Sequence, residues 1–391
     1  MDQNKKAELK AWLSEIRRDI HQHPETAYEE VRTTGKIKGI LDDLSIQNKT
    51  FEDVTGVLGL VANQDKGPTL ALRADIDALP MEEKTGATYK SQTPGKMHAC
   101  GHDANITIML GVAKLLFDNG ELAKIPGNLK FIFQPAEEGG AGAQRLIDRG
   151  VLKDPDVDWI IAGHASPDLD TGTAGFYHKQ SHASSDRFTL VITGTGAHGA
   201  RPHQGNDPLV PAAQFINSVN AMVARNVDAL ETAVVTVGKL RAGSTANVLP
   251  DKVEMEGTIR TLKPEIRTLV RKRLTEICQG LELSYGVKCE FEILDGYPPC
   301  VGTEEVSEFM YNTAAKVLGE DNVAWFPPTT GGEDFAFYAQ VVKGSICRIG
   351  CRNEEKGMIH PLHSPYFDLD EEMLAHGVEF FHRCVLDYFK M

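Results

Sequence analysis

Short apolar runs that break off into charged residues set the strongest constraint on this chain. Thr69–Ala74 runs into Arg73-Ala74-Asp75-Ile76-Asp77, Asn128–Phe133 into Gln134-Pro135-Ala136-Glu137-Glu138, and Asp158–Ala162 into Gly163-His164-Ala165-Ser166. Strands alternating with helical segments call for a mainly parallel, helix-covered sheet of the α/β class. Ligands in such sheets sit at the carboxyl ends of strands. Three chemically capable clusters at three strand ends therefore predict a site there.

The flanking pattern fills in the architecture. Leu9, Trp12, Leu13, Ile16 and Ile20 recur at helical spacing over residues 5–22, and His23-Pro24 stops that helix. A further helix is expected near 30–44. From about residue 180 the period changes. Phe188, Leu190 and Ile192, then Val253, Met255 and Ile259, alternate with polar neighbours as antiparallel strands with one wet face do. A helical stretch over about 263–283 precedes a strand at Cys289–Leu294. Residues 181–294 are thus expected to form a separate α+β domain inserted into a domain made of 1–180 and 295–391. The last helix, with Leu374, Val378, Phe381 and Val385 on one face, is expected to be capped by Asp370.

Charge narrows the partners. Asp and Glu number 55 against 41 Lys and Arg among 391 residues, a net −14, so the chain carries no electrostatic footprint for nucleic acid or an anionic membrane. No apolar run reaches the roughly 18 residues of a membrane span. The polar N-terminal segment has no secretory character, and seven cysteines without a CxxC are expected to be reduced thiols in a cytoplasmic protein.

The densest chemistry lies in Met97-His98-Ala99-Cys100-Gly101-His102-Asp103. A Cys and a His two apart on a tight loop suit a borderline-soft divalent ion. A buried Cys beside a surface His, or a Cys–His nucleophilic pair, are the other readings. Glu137 and Glu138 offer one carboxylate for a metal and one for a proton, or else an acidic first turn of a helix. His164 and the pair His360 and His363 add imidazoles. Asp75 and Asp77 close the first strand; a carboxylate just past a strand end could hold a ligand imidazole, or the pair belong simply to a turn before Pro80. Isolated histidines are more often structural, but four segments each offering Cys, His or Glu at an element end suit one or two bound ions and a base. Gly194-Thr195-Gly196-Ala197-His198-Gly199 matches a dinucleotide-binding pattern. Pro202 and Pro208 fall where the phosphate-binding helix should run, so that reading is rejected. His198 and His203 within this stretch are of more interest than its glycines.

The ordered set RADIDALP, MHACGHDA, QPAEEGGAGA, AGHA, GAHGARPH, NVLPD, GTIR, GGEDF and LHSPYF resembles the metal-dependent aminoacylase/carboxypeptidase family. It is most similar to the N-acyl-amino-acid amidohydrolase branch typified by hippurate and indole-acetyl-amino-acid hydrolases. The resemblance runs nearly end to end. It implies a zinc-peptidase-like catalytic domain with an inserted dimerisation (lid) domain, and two divalent ions (Mn, Zn or Co) per subunit. It places the metal ligands on Cys100, His102, Glu138, His164 and His363, and the general base on Glu137. Asp75 then stands where peptidase relatives carry a ligand histidine, and Asp77 where they carry the orienting aspartate. His198 matches the lid histidine that reaches the partner subunit's active site. Asn247 and Arg260 match positions associated with the substrate carboxylate. Arg201, beside His198, is either a second anchor or a solvated loop arginine.

The activity so implied is hydrolysis of an N-acyl amino acid to a carboxylic acid and a free amino acid by a homodimer. Carboxypeptidase or dipeptidase action and N-acetyl-diaminopimelate deacetylation are the alternatives on the same scaffold. The chain departs from the branch at Asn105, where a histidine is usual, and in residues 166–186, which lack the usual tryptophan-containing, glycine-rich run.

Overall fold

The computed structural model describes residues 3–64 and 66–391. The elements run, in order, α1 (Gln3–Gln22), α2 (Val31–Asp43), β1 (Gln47–Lys49), β2 (Val57–Ala62), β3 (Thr69–Asp75), α3 (His102–Asp118), β4 (Asn128–Gln134), α4 (Gly142–Asp148), β5 (Trp159–Asp170), β6 (Ala174–Phe176), β7 (Gln180–His182), β8 (Asp186–Thr193) and β9 (Ala197–His198). They continue with α5 (Leu209–Asn226), β10 (Ala233–Ala242), β11 (Val248–Leu249), β12 (Lys252–Thr261), α6 (Pro264–Tyr285), β13 (Lys288–Leu294), β14 (Cys300–Val301), α7 (Glu304–Leu318), β15 (Val323–Trp325), α8 (Phe335–Val341), β16 (Lys343–Arg352) and α9 (Glu372–Phe389). They fall into two compact units. The first comprises Met1–Lys179, Gly302–Pro327 and Phe337–Met391; the second comprises Gln180–Val301 and Pro328–Ala336.

The first unit is built on an eight-stranded sheet in the order β1-β2-β4-β3-β5-β16-β6-β15. Its centre, β4-β3-β5-β16, is parallel, while β1, β2 and β6 join antiparallel. Strands β3 and β4 are buried along their whole length, as parallel strands covered on both faces must be. Helices α1, α3 and α9 contribute Leu13, Ile108, Leu110, Val378 and Phe381 to the core. Gly111 and Gly377 let them approach closely: a Cβ on Gly111 would meet Val378 and Leu13, and one on Gly377 would meet Ile108.

Two local details differ from expectation. Strand β5 continues eight residues past the apolar run, because His164–Ser166 and Asp170 find ladder partners on β16. The residue at the N-cap of α9 is Glu371, not Asp370, and its side chain makes no cap bond. Asp370 instead accepts the Glu372 N–H at 3.3 Å from one position further out.

The second unit has a four-stranded antiparallel sheet, β10-β12-β8-β13. Phe188, Leu190, Ile192, Val253, Met255 and Ile259 form one core with Phe215 and Val219 of α5 and Val270 and Leu274 of α6. Helix α5 and strand β10 lie outside the elements expected from periodicity. The glycines of 194–199 lead into β9, which pairs with β11, and the next α-helix begins only at Leu209. No helix among the described residues is long and apolar enough to cross a membrane.

Candidate metal centre

The five metal-ligand candidates lie in the first unit: Glu138 in the turn after β4, His164 within β5, Cys100 and His102 at the start of α3, and His363 in the segment between β16 and α9. Gly101 adopts φ +84° at the N-cap of α3, and a Cβ there would lie 2.7 Å from that of Ala165. That close approach sets Cys100 and His102 on either side of a turn against β5. Cys100 Sγ lies 3.5 Å from Nε2 of His164 and 3.3 Å from Nε2 of His363. The second of these comes from the distant C-terminal segment, tied in by its main-chain N–H donating to the Ala99 carbonyl at 2.8 Å.

Each imidazole is oriented by a main-chain carbonyl or a carboxylate. His102 Nδ1 donates to the Asp77 carbonyl at 2.8 Å, and His164 Nδ1 donates to the Ala165 carbonyl at 2.8 Å. These bonds fix the tautomers and turn the Nε2 atoms inward. His363 Nε2 lies 3.0 Å from Glu138 Oε1, yet among the described residues that buried oxygen lacks a partner in hydrogen-bond geometry, and so does the buried Nε2 of His102. Donor atoms of Cys100, His102 and His164 lie within 4.8 Å of one another. So do those of Cys100, Glu138 and His363, and those of His102, Glu137 and Glu138. His360 makes none of these groupings.

The turn bearing the two glutamates precedes α4 rather than opening it. Its shape is imposed by carboxylates from elsewhere. Asp77 accepts the Glu137 and Glu138 N–H groups, each at 3.0 Å, one on each carboxylate oxygen. Glu30, fully buried, accepts the Ala136 N–H at 2.9 Å and the Thr55 hydroxyl. Ala136 is held at φ +54°, a conformation rare outside glycine. The Tyr28 hydroxyl donates to the Gly140 carbonyl. The Asp77 carboxylate has Oδ1 3.4 Å from His102 Nδ1, while the hydrogen bonds it accepts come from the glutamate turn; the imidazole itself is held by the Asp77 main-chain carbonyl.

Asp75 is enclosed by Arg73 Nη1 at 2.7 Å and Asn105 Nδ2 at 2.7 Å, with His102 Nε2 at 3.8 Å. Burial pushes its carboxyl up, but His102, Arg73 and His164 outweigh this and hold it well below the usual range. Asn105 also accepts the Ala165 N–H at 3.1 Å, so its amide links Asp75 to the residue after His164. Burial, then Glu138, raise the Cys100 thiol well above its ordinary value, and a bound cation would reverse that sign. Glu138 raises His363.

Behind His102, Asp103 is fully buried between Arg17 Nε at 2.9 Å and His21 Nδ1 at 2.8 Å. Burial pushes its carboxyl up, but Arg17 and His21 prevail and keep it far below the usual range. This cluster pins α1 to the first turn of α3. Neither it nor Glu30 was legible in any local pattern, since each depends on contacts between segments more than 80 residues apart in sequence.

His198, Asn247 and Arg260 belong to the second unit. His198 pairs with Val248 in the β9–β11 ladder and accepts the Ala200 N–H at its own Nδ1 at 3.0 Å. The Asn247 carbonyl accepts the Gly199 N–H at 2.8 Å, so His198 and Asn247 stand side by side. Arg260, on β12, donates to the Ile259 carbonyl at 3.2 Å. Arg201 and His203 are exposed on the adjoining loop.

Residues 71–387 match the sequence profile of Peptidase family M20/M25/M40. The chain belongs to this family. M20 relatives cover nearly all of it. The N-acetyl-L-cysteine deacetylase of Bacillus subtilis (strain 168) is 41% identical over 363 residues, 93% of this chain and 85% of that protein. The IAA-amino acid hydrolase ILR1-like 4 of Arabidopsis thaliana is 36% identical over 370 residues, 94% of this chain and 83% of that one. Among solved M20 structures, the YXEP protein of Bacillus subtilis, described as a dinuclear metal-binding peptidase, superposes with a TM-score of 0.86 at 34% identity. That match covers 98% of this chain and 99% of the other. The M20 fold, with its mostly parallel central sheet, and hydrolysis of amide bonds are thereby established for this chain.

Proposed function

We propose that this chain is a metal-dependent N-acyl-amino-acid amidohydrolase, releasing a carboxylic acid and a free amino acid. The observation that carries the reading is the convergence of Cys100, His102, Glu138, His164 and His363, beside Glu137, in one unit. The donor set fits two divalent cations. A thiolate, three imidazoles and a carboxylate suit Zn, Mn or Co, and the buried His102 Nε2 has no hydrogen-bond partner among the described residues. Bound cations would supply Lewis acidity toward the amide carbonyl and make water a stronger acid.

The chain's own groups account for the proton movements. Glu137, nearly buried and fixed through its main-chain N–H by Asp77, takes the proton of the attacking water and returns it to the departing nitrogen. Asp77 holds both glutamates and His102 in register. His198 meets the developing oxyanion from the partner subunit of a homodimer, and Asn247 with Arg260 hold the substrate carboxylate. The second unit, residues 180–301 in the main, serves as the dimerisation lid. The exposed edge of β10, with Val234 and Leu240 open to solvent, supports this as a pairing surface. Seven free cysteines support a reducing, cytoplasmic setting.

The names of the two sequence relatives favour acyl-amino acids, while the solved neighbour called a peptidase keeps carboxypeptidase or dipeptidase action as the second reading. A panel of N-acyl amino acids and free dipeptides separates them. Preference for the acyl amino acids by tenfold or more in kcat/KM supports the proposal; preference for dipeptides with a free amino end overturns it.

A further inference from the structure

The row of the sheet that carries His164 continues onto β16. Arg348 is the register partner of His164 in the parallel β5–β16 pair, and residues directly opposite in a sheet present their side chains on one face. The other face is occupied by helices: a Cβ on Gly163 would meet Ile349 and Phe381 of α9. His164, Ser166 and Arg348 thus share the face turned away from α9. On that face β3 contributes Arg73, paired in register with Ala162, but Asp75 neutralises it.

Arg348 is held differently. Its Nε donates to the Tyr177 hydroxyl, and its guanidinium carbon lies 5.5 Å from the centre of the Tyr177 ring. Tyr177 is buried, so this contact orients the guanidinium plane and leaves part of its fork open. Among the described residues its other polar contact is Nη1 to Asp168 Oδ2 at 3.3 Å, where the Asp168 side chain is 74% exposed. An exposed pair of this kind contributes little, and another carboxylate can replace it. A guanidinium fork matches a carboxylate in shape as well as charge.

We propose that Arg348 binds a carboxylate of the substrate beside His164, with Asp168 as its resting partner. The inference deepens the amidohydrolase reading and rests on it. Two substrate groups share this chemistry: the α-carboxylate of the amino acid, and a second carboxylate on the acyl chain.

The test compares the wild type, Arg348→Met and Asp168→Asn on N-acetyl-L-alanine, N-acetyl-L-alaninamide and N-succinyl-L-alanine. It records kcat and KM separately and the bound metal of each variant. Arg348→Met is expected to keep its metal and the amide activity while losing roughly 10–100-fold in kcat/KM on the carboxylate it reads. Loss on both acids assigns the α-carboxylate; loss on the succinyl compound alone assigns the acyl carboxylate. Asp168→Asn is expected to lower KM for the same substrate, and a raised KM contradicts the proposal. An equal loss on all three compounds, or none on any, overturns it while leaving the amidohydrolase reading intact. A wild-type enzyme inactive on all three overturns that reading, and this inference falls with it.

Discussion

The main-chain carbonyl of Asp77 accepts a hydrogen bond from His102 Nδ1 at 2.8 Å, which leaves Nε2 as the ring nitrogen able to offer a lone pair. The carboxylate of the same aspartate accepts the N–H groups of both Glu137 and Glu138. One residue just past β3 thus orients a candidate ligand from α3 and two carboxylates from the turn after β4. Asp77→Ala leaves two main-chain N–H groups without acceptors. It is expected to weaken divalent-cation binding by roughly 10–100-fold, measured by competition with a chelator of known affinity. Unchanged affinity would show that the turn holds its shape without Asp77.

Glu137→Gln keeps the size of the side chain and removes its basicity. The variant is expected to retain its metal and lose roughly 10²–10⁴-fold in kcat. Metal analysis and turnover on one preparation check both halves, and a fully active variant removes Glu137 from the proton-transfer role.

Arg17 and Asp103 are both fully buried. Removing one partner leaves a charge with no solvent to take it up, so Arg17→Met is expected to cost about 3–5 kcal/mol of unfolding free energy. Adding Asp103→Asn should recover part of that loss, because the fully buried carboxylate is then gone, while Asp368 and Glu371, the other partners of Arg17, are partly exposed and keep Tyr89 and Arg18. Urea unfolding of the single and double variants tests this. Equal stability of the Arg17 variant and the wild type contradicts it.

Glu30 carries a pH signature. Burial raises its carboxyl from 4.5 to about 7. Over that interval the folded chain retains a proton that the unfolded chain has lost. The stability it contributes is therefore full below pH 4.5 and disappears as pH rises through about 7. Glu30→Gln, which cannot ionise, is expected to exceed the wild type in stability by roughly 1–3 kcal/mol at pH 8 and by little at pH 5. A difference that is the same at both pH values rules out this ionisation as its source.

The strand ends were legible because apolar runs stop where β3 and β4 stop, and polar chemistry crowded there has few structural uses. Local patterns could not show which group satisfies which. The Glu30 carboxylate reaches Ala136, and the Asn105 amide joins Asp75 to Ala165, only once strand order and register are set. The length of β5 was hidden for the same reason. Residues 164–170 look like a polar loop, but β16 supplies the ladder that makes most of them a strand. Helix α5 carries Phe215, Val219 and Met222 at helical spacing, a signal hidden by the prolines and glycines just before it. Asn105, a departure from the usual histidine, proves to be a link between Asp75 and β5.

Cys100, His102, Glu138, His164 and His363 are proposed to hold divalent cations on which amide hydrolysis depends. Metal content and N-acyl-amino-acid hydrolysis, followed together through chelation and re-addition of Zn, Mn or Co, test this dependence most directly. Two ions per chain, loss of hydrolysis as they leave, and recovery as they return are the expected results. Hydrolysis that persists in a fully metal-free protein would contradict it.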